Sequence, residues 1–291
     1  MKKVAVRISL TSICFCIAVF VSCAGRPVLD TAEDELAVPQ SLYVPESFVW
    51  QNVCTGVERF DFENAALPVR WHAVRIDLET DGIELAAYPG IVKEGTKTHA
   101  VRTADFAEKY GCTVAVNTSP FTLKKEIVGI HIVQGRLYAP PAERYSALVF
   151  KADSEGGTCR ASIAGNQTAE TVQEAVYAFG GFFTILQNGQ KSSFRISRHD
   201  SRSGAGISED GRMLYILVVE GEHPHKSMGL SYPQCADIFR AMGCTDAMEF
   251  DGGSSSELCI NGKSVLSYTC TTVQAASFGI RINTPGAPAK K

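Results

Sequence analysis

Short apolar runs, separated by turns rich in glycine, asparagine and aspartate, recur along most of this chain. Asp81-Gly82 stands between two such runs and is typical of a tight hairpin turn. The pattern therefore predicts a series of hairpins, with strands at 71–78, 83–88, 113–117, 127–133, 145–151, 182–186, 204–207, 213–219, 247–251, 258–260, 264–267 and 278–282.

Helical spacing of apolar residues is confined to a few segments. One predicted helix begins at Thr103 and ends before Gly111, and a second covers 169–178. A third, at 232–242, lies between the predicted strands 213–219 and 247–251, and a crossover of this kind joins parallel strands. The sequence thus predicts a single α+β domain with a mixed β-sheet, hairpins, at least one βαβ unit and few helices.

The N-terminal region has the pattern of an export signal. Basic residues precede a short apolar run, and residues 1–23 end in a sequence that resembles a loose bacterial lipobox with Cys23 as the lipidated residue. Ordinary cleavage near Ala24, or a retained anchor, is the alternative. Residues 24–50 are predicted to be a tether, 51–284 the folded domain, and 285–291 a flexible tail.

Composition changes this picture little. The chain of 291 residues is 45% hydrophobic and 20% charged, with a net charge of −3, which is ordinary for a globular protein. The absence of a basic excess argues against nucleic acid as a partner. The cysteines do not have zinc-site spacing, and no calcium-loop motif occurs. We therefore predict no cofactor; a divalent cation, which no motif supports, is the alternative.

The segment Asp251-Gly252-Gly253, followed by three serines, carries the most chemical information. It follows the predicted strand 247–251, so a carboxylate and flexible backbone N–H groups stand together at a strand end. This combination suits a catalytic edge that receives a polar or anionic substrate. The alternative is a tight turn with a solvated acid.

Two further charged residues are predicted at the same edge. Glu220 follows the strand 213–219, which runs parallel to 247–251, and Arg202 precedes an antiparallel strand. A guanidinium pairs bidentately with phosphate oxygens, so Arg202 could bind a phosphate beside two carboxylates. A salt bridge between Arg202 and either acid is the alternative.

Three residues are weaker candidates. Asn117 ends a predicted strand and otherwise would be an ordinary turn residue. Gly181 could allow close approach of a ligand, or simply a bend. His225, in the loop after Glu220, could be an acid–base group or a solvated histidine.

Several segments, in order, resemble the phosphodiester glycosidase family. The resemblance covers about residues 70 to 283, and it departs from the family pattern at Glu220, where the family has Asp, and at Ser254, where it has a third glycine. The segments that carry it are Ala115–Phe121, Gly180-Gly181, Arg202–Ile207, Leu217–Gly221, Asp251–Ser256 and Asn261-Gly262.

The resemblance implies an exported hydrolase that cleaves a sugar-1-phosphodiester or a related glycosidic bond in envelope or extracellular glycans. Asp251 would be the nucleophile or general base, and Glu220 or His225 the proton donor. Arg202, with Asn117 and the backbone at Gly181, Gly252 and Gly253, would bind the substrate phosphate. The alternative is a catalytically degenerate, glycan-binding surface lipoprotein, which is motivated by the replacement of family glycines at 118–120 and at Ser254.

Overall fold

Antiparallel strand pairs dominate the fold. A computed structural model describes residues 38–90, 99–151, 160–173, 175–194 and 198–282. Its strands are β1 (Gln51–Cys54), β2 (Val57–Asn64), β3 (Val69–Asp77), β4 (Ile83–Tyr88), β5 (Val114–Asn117), β6 (His131–Val133), β7 (Arg136–Ala139), β8 (Ala147–Lys151), β9 (Arg160–Ala164), β10 (Ala175–Gly180), β11 (Thr184–Gln187), β12 (Gln190–Lys191), β13 (Arg202–Ile207), β14 (Met213–Val219), β15 (Asp246–Glu249), β16 (Leu258–Ile260), β17 (Lys263–Ser264) and β18 (Ser277–Ile282). The helices are α1 (Thr103–Tyr110), α2 (Ala169–Gln173) and α3 (Tyr232–Ala241).

These strands form three sheets. An eight-stranded sheet has the order β1-β2-β3-β14-β13-β15-β11-β12. Two five-stranded sheets have the orders β7-β6-β10-β8-β9 and β17-β16-β5-β18-β4. The few helices and numerous hairpins agree with the turn pattern in the sequence.

The main core lies where the three sheets face one another. Each sheet contributes alternate residues of its strands, such as Ile216 from the large sheet, Phe150 from β8 and Phe278 from β18. The rings of Phe150 and Phe278 stack with centroids 5.4 Å apart, which joins the two smaller sheets directly.

Helix α3 covers the opposite face of the large sheet. A side chain at Gly206 would lie 2.6 Å from a ring carbon of Phe239, so the glycine allows the helix to approach β13 closely. Gln234 accepts a hydrogen bond from the Ser231 N–H at 2.8 Å and fixes the start of the helix. The helix therefore closes over the strands whose ends carry the candidate site.

The predicted mixed sheet and βαβ unit are not confirmed. The strands β14 and β15, which flank α3 in sequence, are not neighbours, because β13 lies between them and pairs antiparallel with both. The two strands still run in the same direction, since each is antiparallel to β13. Every pairing between named strands in the described residues is antiparallel.

The predicted helix at 169–178 is wrong in its second half. Helix α2 ends at Gln173, and β10 begins at Ala175 and pairs with β8 and β6. A short apolar run fits either a buried strand or a buried helix, and here two neighbouring strands complete the backbone hydrogen bonds.

The packed body begins earlier than the predicted boundary at residue 51. Tyr43 is 4% exposed, and its hydroxyl donates to Asp237 Oδ2 at 3.0 Å. The indole of Trp71 donates to the Tyr43 carbonyl at 2.9 Å. Residues from about Pro39 to 50 therefore belong to the folded body rather than to a tether.

The predicted signal at 1–23, residues 24–37 of the tether and the tail at 285–291 lie outside the described residues. Among the helices that the structure describes, none combines the length and apolar character needed to cross a bilayer.

Candidate active site

Arg202, Glu220 and Asp251 lie at one edge of the large sheet. Gly204 of β13 pairs with Glu249 of β15 in antiparallel register. Continuing this register by two residues places Arg202 opposite Asp251. Hydrogen bonds continue that register: Phe250 N–H donates to the Ser203 carbonyl at 2.7 Å. On the other side of β13, Arg202 pairs with Val219, which Glu220 follows. The backbone thus brings the three predicted residues together.

Asp251 is held by hydrogen bonds from a different sheet. Its N–H donates to the Thr118 carbonyl at 2.8 Å, and its carbonyl accepts the Asn117 side-chain amide at 2.7 Å. The Asp251 side chain remains half-buried. Burial raises the pKa of this carboxyl to about 6, although a hydrogen bond from Ser255, the Lys125 charge and the Gly252 N–H lower it. A carboxylate with these properties is reachable and can exchange a proton near neutral pH.

Asn117 positions the Asp251 loop and is fully buried. Besides its bond to Asp251, it accepts hydrogen bonds from the Ser203 hydroxyl at 2.8 Å and from the Glu257 N–H at 3.1 Å. Both functional atoms of the amide are therefore occupied by protein groups. The predicted role of Asn117 in binding phosphate does not fit this geometry, and we assign it a positioning role.

Arg202 is largely enclosed, with 8% of its surface exposed. Its Nε donates to the Leu230 carbonyl at 3.0 Å, its Nη2 donates to the Arg198 carbonyl, and its guanidinium lies 4.1 Å from the Tyr232 ring centroid. A side chain built at Gly252 would lie 3.9 Å from Nη1, so this nitrogen faces the Asp251 loop. Two of the five N–H donors of this predicted phosphate ligand are thus used by backbone carbonyls.

Arg202 also interacts electrostatically with Glu249, a buried acid that strand alternation in the sequence predicts on the same face as Asp251, either as a second carboxylate or as a buried partner for a base. Both oxygens of Glu249 lack a hydrogen-bond partner among the described residues. Burial raises the pKa of Glu249 to about 7, against the nearby Arg202 charge and the Cys235 thiol, which lower it. Within the described part of the chain, no ion pair joins Arg202 to Asp251 or Glu220, so the predicted edge salt bridge is also wrong.

Glu220 belongs to a buried charge network. Its Oε1 accepts hydrogen bonds from His72 Nε2 and the Ser267 N–H, each at 2.9 Å, while His72 Nδ1 lies 2.7 Å from Asp61. Carboxylates only accept, so an imidazolium donates to both. Burial would raise the pKa of Glu220, but the bonds from His72 and Ser267 outweigh it and lower this pKa below its usual range.

A proton donor must hold its proton near the working pH, and Glu220 does not. The predicted role of Glu220 as proton donor is therefore not supported by its surroundings. The partner of Glu220, His72, lies on β3 in register with Val218. A single histidine in an apolar strand does not indicate from the sequence that it bonds to Glu220.

The remaining predicted residues divide between loop and packing positions. His225 is exposed in the loop between β14 and α3. A side chain at Gly181 would lie 2.3 Å from the Glu249 carbonyl oxygen, so this glycine accommodates a neighbouring strand rather than a ligand. Gly253 has φ 59°, and its N–H donates to the Ser201 carbonyl at 2.9 Å, which removes it from phosphate binding. Gly252 is half-buried and directly follows Asp251 in the chain.

Lys125 and Ser255 are the neighbours of Asp251 that sequence reasoning missed. Ser255 lies within the serine run that follows Asp251, and its hydroxyl lowers the pKa of the carboxyl. Lys125 lies on a separate loop between β5 and β6, and no sequence signal connects it to Asp251. No group of three or more histidine, cysteine or acidic side chains in the described residues is arranged to hold a metal ion.

Comparison with known proteins identifies the family. A family model described as phosphodiester glycosidase matches residues 110–282, which is more than half of the chain. The chain therefore belongs to the phosphodiester glycosidase family, as the sequence motifs predict. A search of curated proteins finds no match by sequence.

Solved structures share the fold. The catalytic domain of zebrafish N-acetylglucosamine-1-phosphodiester alpha-N-acetylglucosaminidase, auto-inhibited by its pro-peptide, matches with a TM-score of 0.61 and 15% identity, over 83% of this chain and 86% of that one. A hypothetical protein from Synechocystis matches with a TM-score of 0.62 and 13% identity, over 81% of this chain. This chain spans 64% of the length of the Synechocystis protein.

Proposed function

We propose that this protein is an exported hydrolase that cleaves the glycosidic bond of a sugar-1-phosphodiester, or a related bond in envelope or extracellular glycans. Membership of the phosphodiester glycosidase family supports a glycosidase-type reaction. The similar zebrafish domain acts, by its title, on an N-acetylglucosamine-1-phosphodiester. The observation that carries the proposal is the half-buried Asp251 carboxylate, whose loop is held by hydrogen bonds to residues of two sheets.

Asp251 acts as the nucleophile or general base in this proposal. With a pKa of about 6, the carboxyl is mostly ionised at neutral pH, and it can attack the anomeric carbon or activate a water. Hydrogen bonds from Asn117 and to Thr118 fix the loop, so the carboxylate does not need to be ordered when substrate binds.

The leaving group makes a strong proton donor less important. A phosphate monoester has a second pKa of roughly 6, so it is stable as an anion near neutral pH. Its departure therefore needs a nearby positive charge more than complete proton transfer. This agrees with the low pKa of Glu220, while His225, exposed in its loop, remains the proposed donor where one is required.

The purified protein tests this reaction directly. Incubated with N-acetylglucosamine-1-phosphodiesters, the wild type should release free sugar, and Asp251→Asn should lower kcat/KM by about a hundredfold or more. Asp81→Asn, an exposed acid in a hairpin turn, is the matched control and should leave turnover unchanged. Equal turnover by Asp251→Asn, or no release of sugar by the wild type, would overturn the assignment.

We also propose that Cys23 carries a lipid that anchors the protein in the bacterial envelope. The charge and apolar pattern of residues 1–23 supports this. In cells, Cys23→Ser should move the protein from the membrane fraction to the soluble fraction. An unchanged distribution would contradict lipid attachment at this residue.

A catalytically degenerate, glycan-binding surface lipoprotein is the second proposal. It is motivated by Glu220, because this acid at the same edge is committed to a buried network. Binding of phosphoglycans that survives Asp251→Asn, together with an inactive wild type, would favour this alternative over the hydrolase.

A further inference from the structure

The loop between β5 and β6 contains a hairpin closed by its own backbone hydrogen bonds. Phe121 and Ile127 form a bridge, and the Val128 N–H donates to the Pro120 carbonyl at 2.7 Å. At its tip, Thr122 accepts the Lys125 N–H on its carbonyl at 2.8 Å. The tip is therefore held by its own backbone, and its side chains have defined positions.

Lys125 is the residue of this hairpin that points back over the protein. It adopts φ 63°, and its Nζ lies 3.3 Å from the Val273 carbonyl oxygen and 4.1 Å from the Phe121 ring centroid. An ammonium has three N–H donors, and the Val273 carbonyl uses one of them. The anchored side chain is half-buried and keeps donors for a ligand.

A short set of contacts connects Lys125 to the catalytic loop. Gln274, next to Val273, donates from Nε2 to the Ser255 carbonyl at 3.2 Å. Ser255 belongs to the short 3₁₀ turn that follows Asp251, and the Lys125 charge lowers the pKa of the Asp251 carboxyl. The Lys125 side chain is therefore anchored next to the segment that supports the loop of Asp251, the acid on which the proposed reaction depends.

Arg202 is less available than Lys125 to bind a substrate anion. Two of its nitrogens donate to backbone carbonyls, Tyr232 covers one face of the guanidinium, and the residue is 8% exposed. Among the described residues, Lys125 has one hydrogen-bond acceptor, the Val273 carbonyl, and its side chain is half-buried. Of the two cations, Lys125 is the one placed to meet an incoming anion.

We propose that Lys125 is a specificity-determining residue that binds the phosphate of the substrate and so selects sugar-1-phosphodiesters over neutral glycosides. This inference rests on the proposed function. The Lys125 ammonium would donate to a non-bridging phosphate oxygen, while the Asp251 carboxylate attacks the anomeric carbon or activates a water. A charge-assisted hydrogen bond of this kind stabilises an oxyanion more strongly than a neutral donor does.

Lys125→Met tests the proposal with little change in shape. Methionine keeps an unbranched apolar stem over Phe121, and Lys124→Met, at the exposed neighbouring position, is the matched control. Thermal unfolding should show that both variants are folded. For a methyl diester of N-acetylglucosamine-1-phosphate, Lys125→Met should raise KM about tenfold, and Lys124→Met should leave it unchanged.

A neutral substrate and a binding measurement separate the outcomes. For para-nitrophenyl N-acetylglucosaminide, Lys125→Met should leave KM unchanged, and equal losses on both substrates would overturn the inference. If the wild type cleaves no phosphodiester, the proposed function fails, and calorimetric titration with N-acetylglucosamine-1-phosphate decides about Lys125. Loss of binding in Lys125→Met, but not in Lys124→Met, supports the inference; equal binding by wild type and Lys125→Met rejects it.

Discussion

Arg202 and Glu220 leave the same edge of one sheet on opposite faces. Arg202 shares its face with Gly204 and Gly206, against which α3 packs, whereas Glu220 follows Val218 on the core face. Successive residues of a strand alternate between faces, and Arg202 pairs with Val219, so its neighbour Glu220 must point the other way. An edge shared by backbones is therefore not a cluster shared by side chains.

Glu220→Ala should impair stability more than catalysis. Glu220 is 1% exposed and bonds to His72 and Ser267, and its removal leaves the buried His72 with Asp61 as its one acidic partner. We expect the free energy of unfolding to fall by about 3 kcal/mol, while kcat at temperatures well below Tm changes by less than about tenfold. Urea unfolding measures the first and steady-state kinetics the second.

The pH dependence distinguishes this network from a catalytic pair. Burial lowers the pKa of His72, but its bonds to Asp61 and Glu220 outweigh this and raise it, so the stabilising charge is lost as pH rises through that raised value. The pKa of Glu220 is lowered, so its contribution is lost as pH falls through that value. The stability difference between wild type and Glu220→Ala should therefore be greatest between about pH 4.5 and 6.5. The exposed control, Glu209→Ala, should show no such maximum.

If Glu220→Ala instead loses more than a hundredfold in kcat with unchanged stability, Glu220 takes part in catalysis. The same kinetic assay on the control variant guards against a general effect of removing an acid.

Asp251→Asn should abolish turnover without destabilising the protein at pH 7. Because burial raises the pKa of Asp251 to about 6, the folded state holds this proton more tightly than the unfolded chain, and stability falls as pH rises from about 4 to about 6. The neutral amide does not ionise, so the variant should unfold at the same temperature as the wild type or higher. Calorimetry at pH 7 checks this.

The pH dependence of wild-type activity tests the ionisation of Asp251 independently. A nucleophile or base must be ionised, so kcat/KM should rise with pH through an apparent pKa of about 6. Activity that falls over that interval would mean that Asp251 works in its protonated form.

The sequence located the edge of the sheet because turn signals and strand direction are local properties. Asp251 follows its strand in any register, and two strands antiparallel to β13 had to end together. Side-chain partners were less accessible, because they depend on contacts between distant segments. Lys125 meets Val273 across 148 positions, and Asn117 meets Asp251 across 134. The glycine at 181 was recognised as a place of close approach, but the sequence did not show what approaches it.

Gly181→Ala should destabilise the sheet next to the site. A methyl group there would lie 2.3 Å from the Glu249 carbonyl oxygen and 2.4 Å from Met248, so β15 would have to shift. We expect a loss of about 1–3 kcal/mol in the free energy of unfolding. Gly165→Ala is the control, because its methyl group would lie 3.8 Å from the nearest atom, Thr184 Oγ1. Equal stability of the two variants would mean that the approach at Gly181 is not tight.

Asn117→Ala should damage catalysis by releasing the Asp251 loop. The substitution leaves the Asp251 carbonyl, the Ser203 hydroxyl and the Glu257 N–H without their shared partner. Unfulfilled buried groups of this kind cost about 1–3 kcal/mol each when they stay buried, so we expect a loss of at least about 2 kcal/mol in stability. We expect kcat to fall, because the Asp251 carboxylate is misplaced, and KM to change little, because phosphate binding is not affected.

Ser203→Ala separates these effects, since it removes one donor to Asn117 and leaves the bond to the Asp251 carbonyl intact. Its stability loss should be about 1 kcal/mol, with kcat close to that of the wild type. Should Asn117→Ala instead keep both its stability and its kcat while KM for the phosphodiester rises, the amide would be a phosphate ligand after all. The comparison of kcat with KM therefore decides whether Asn117 holds the loop or the substrate.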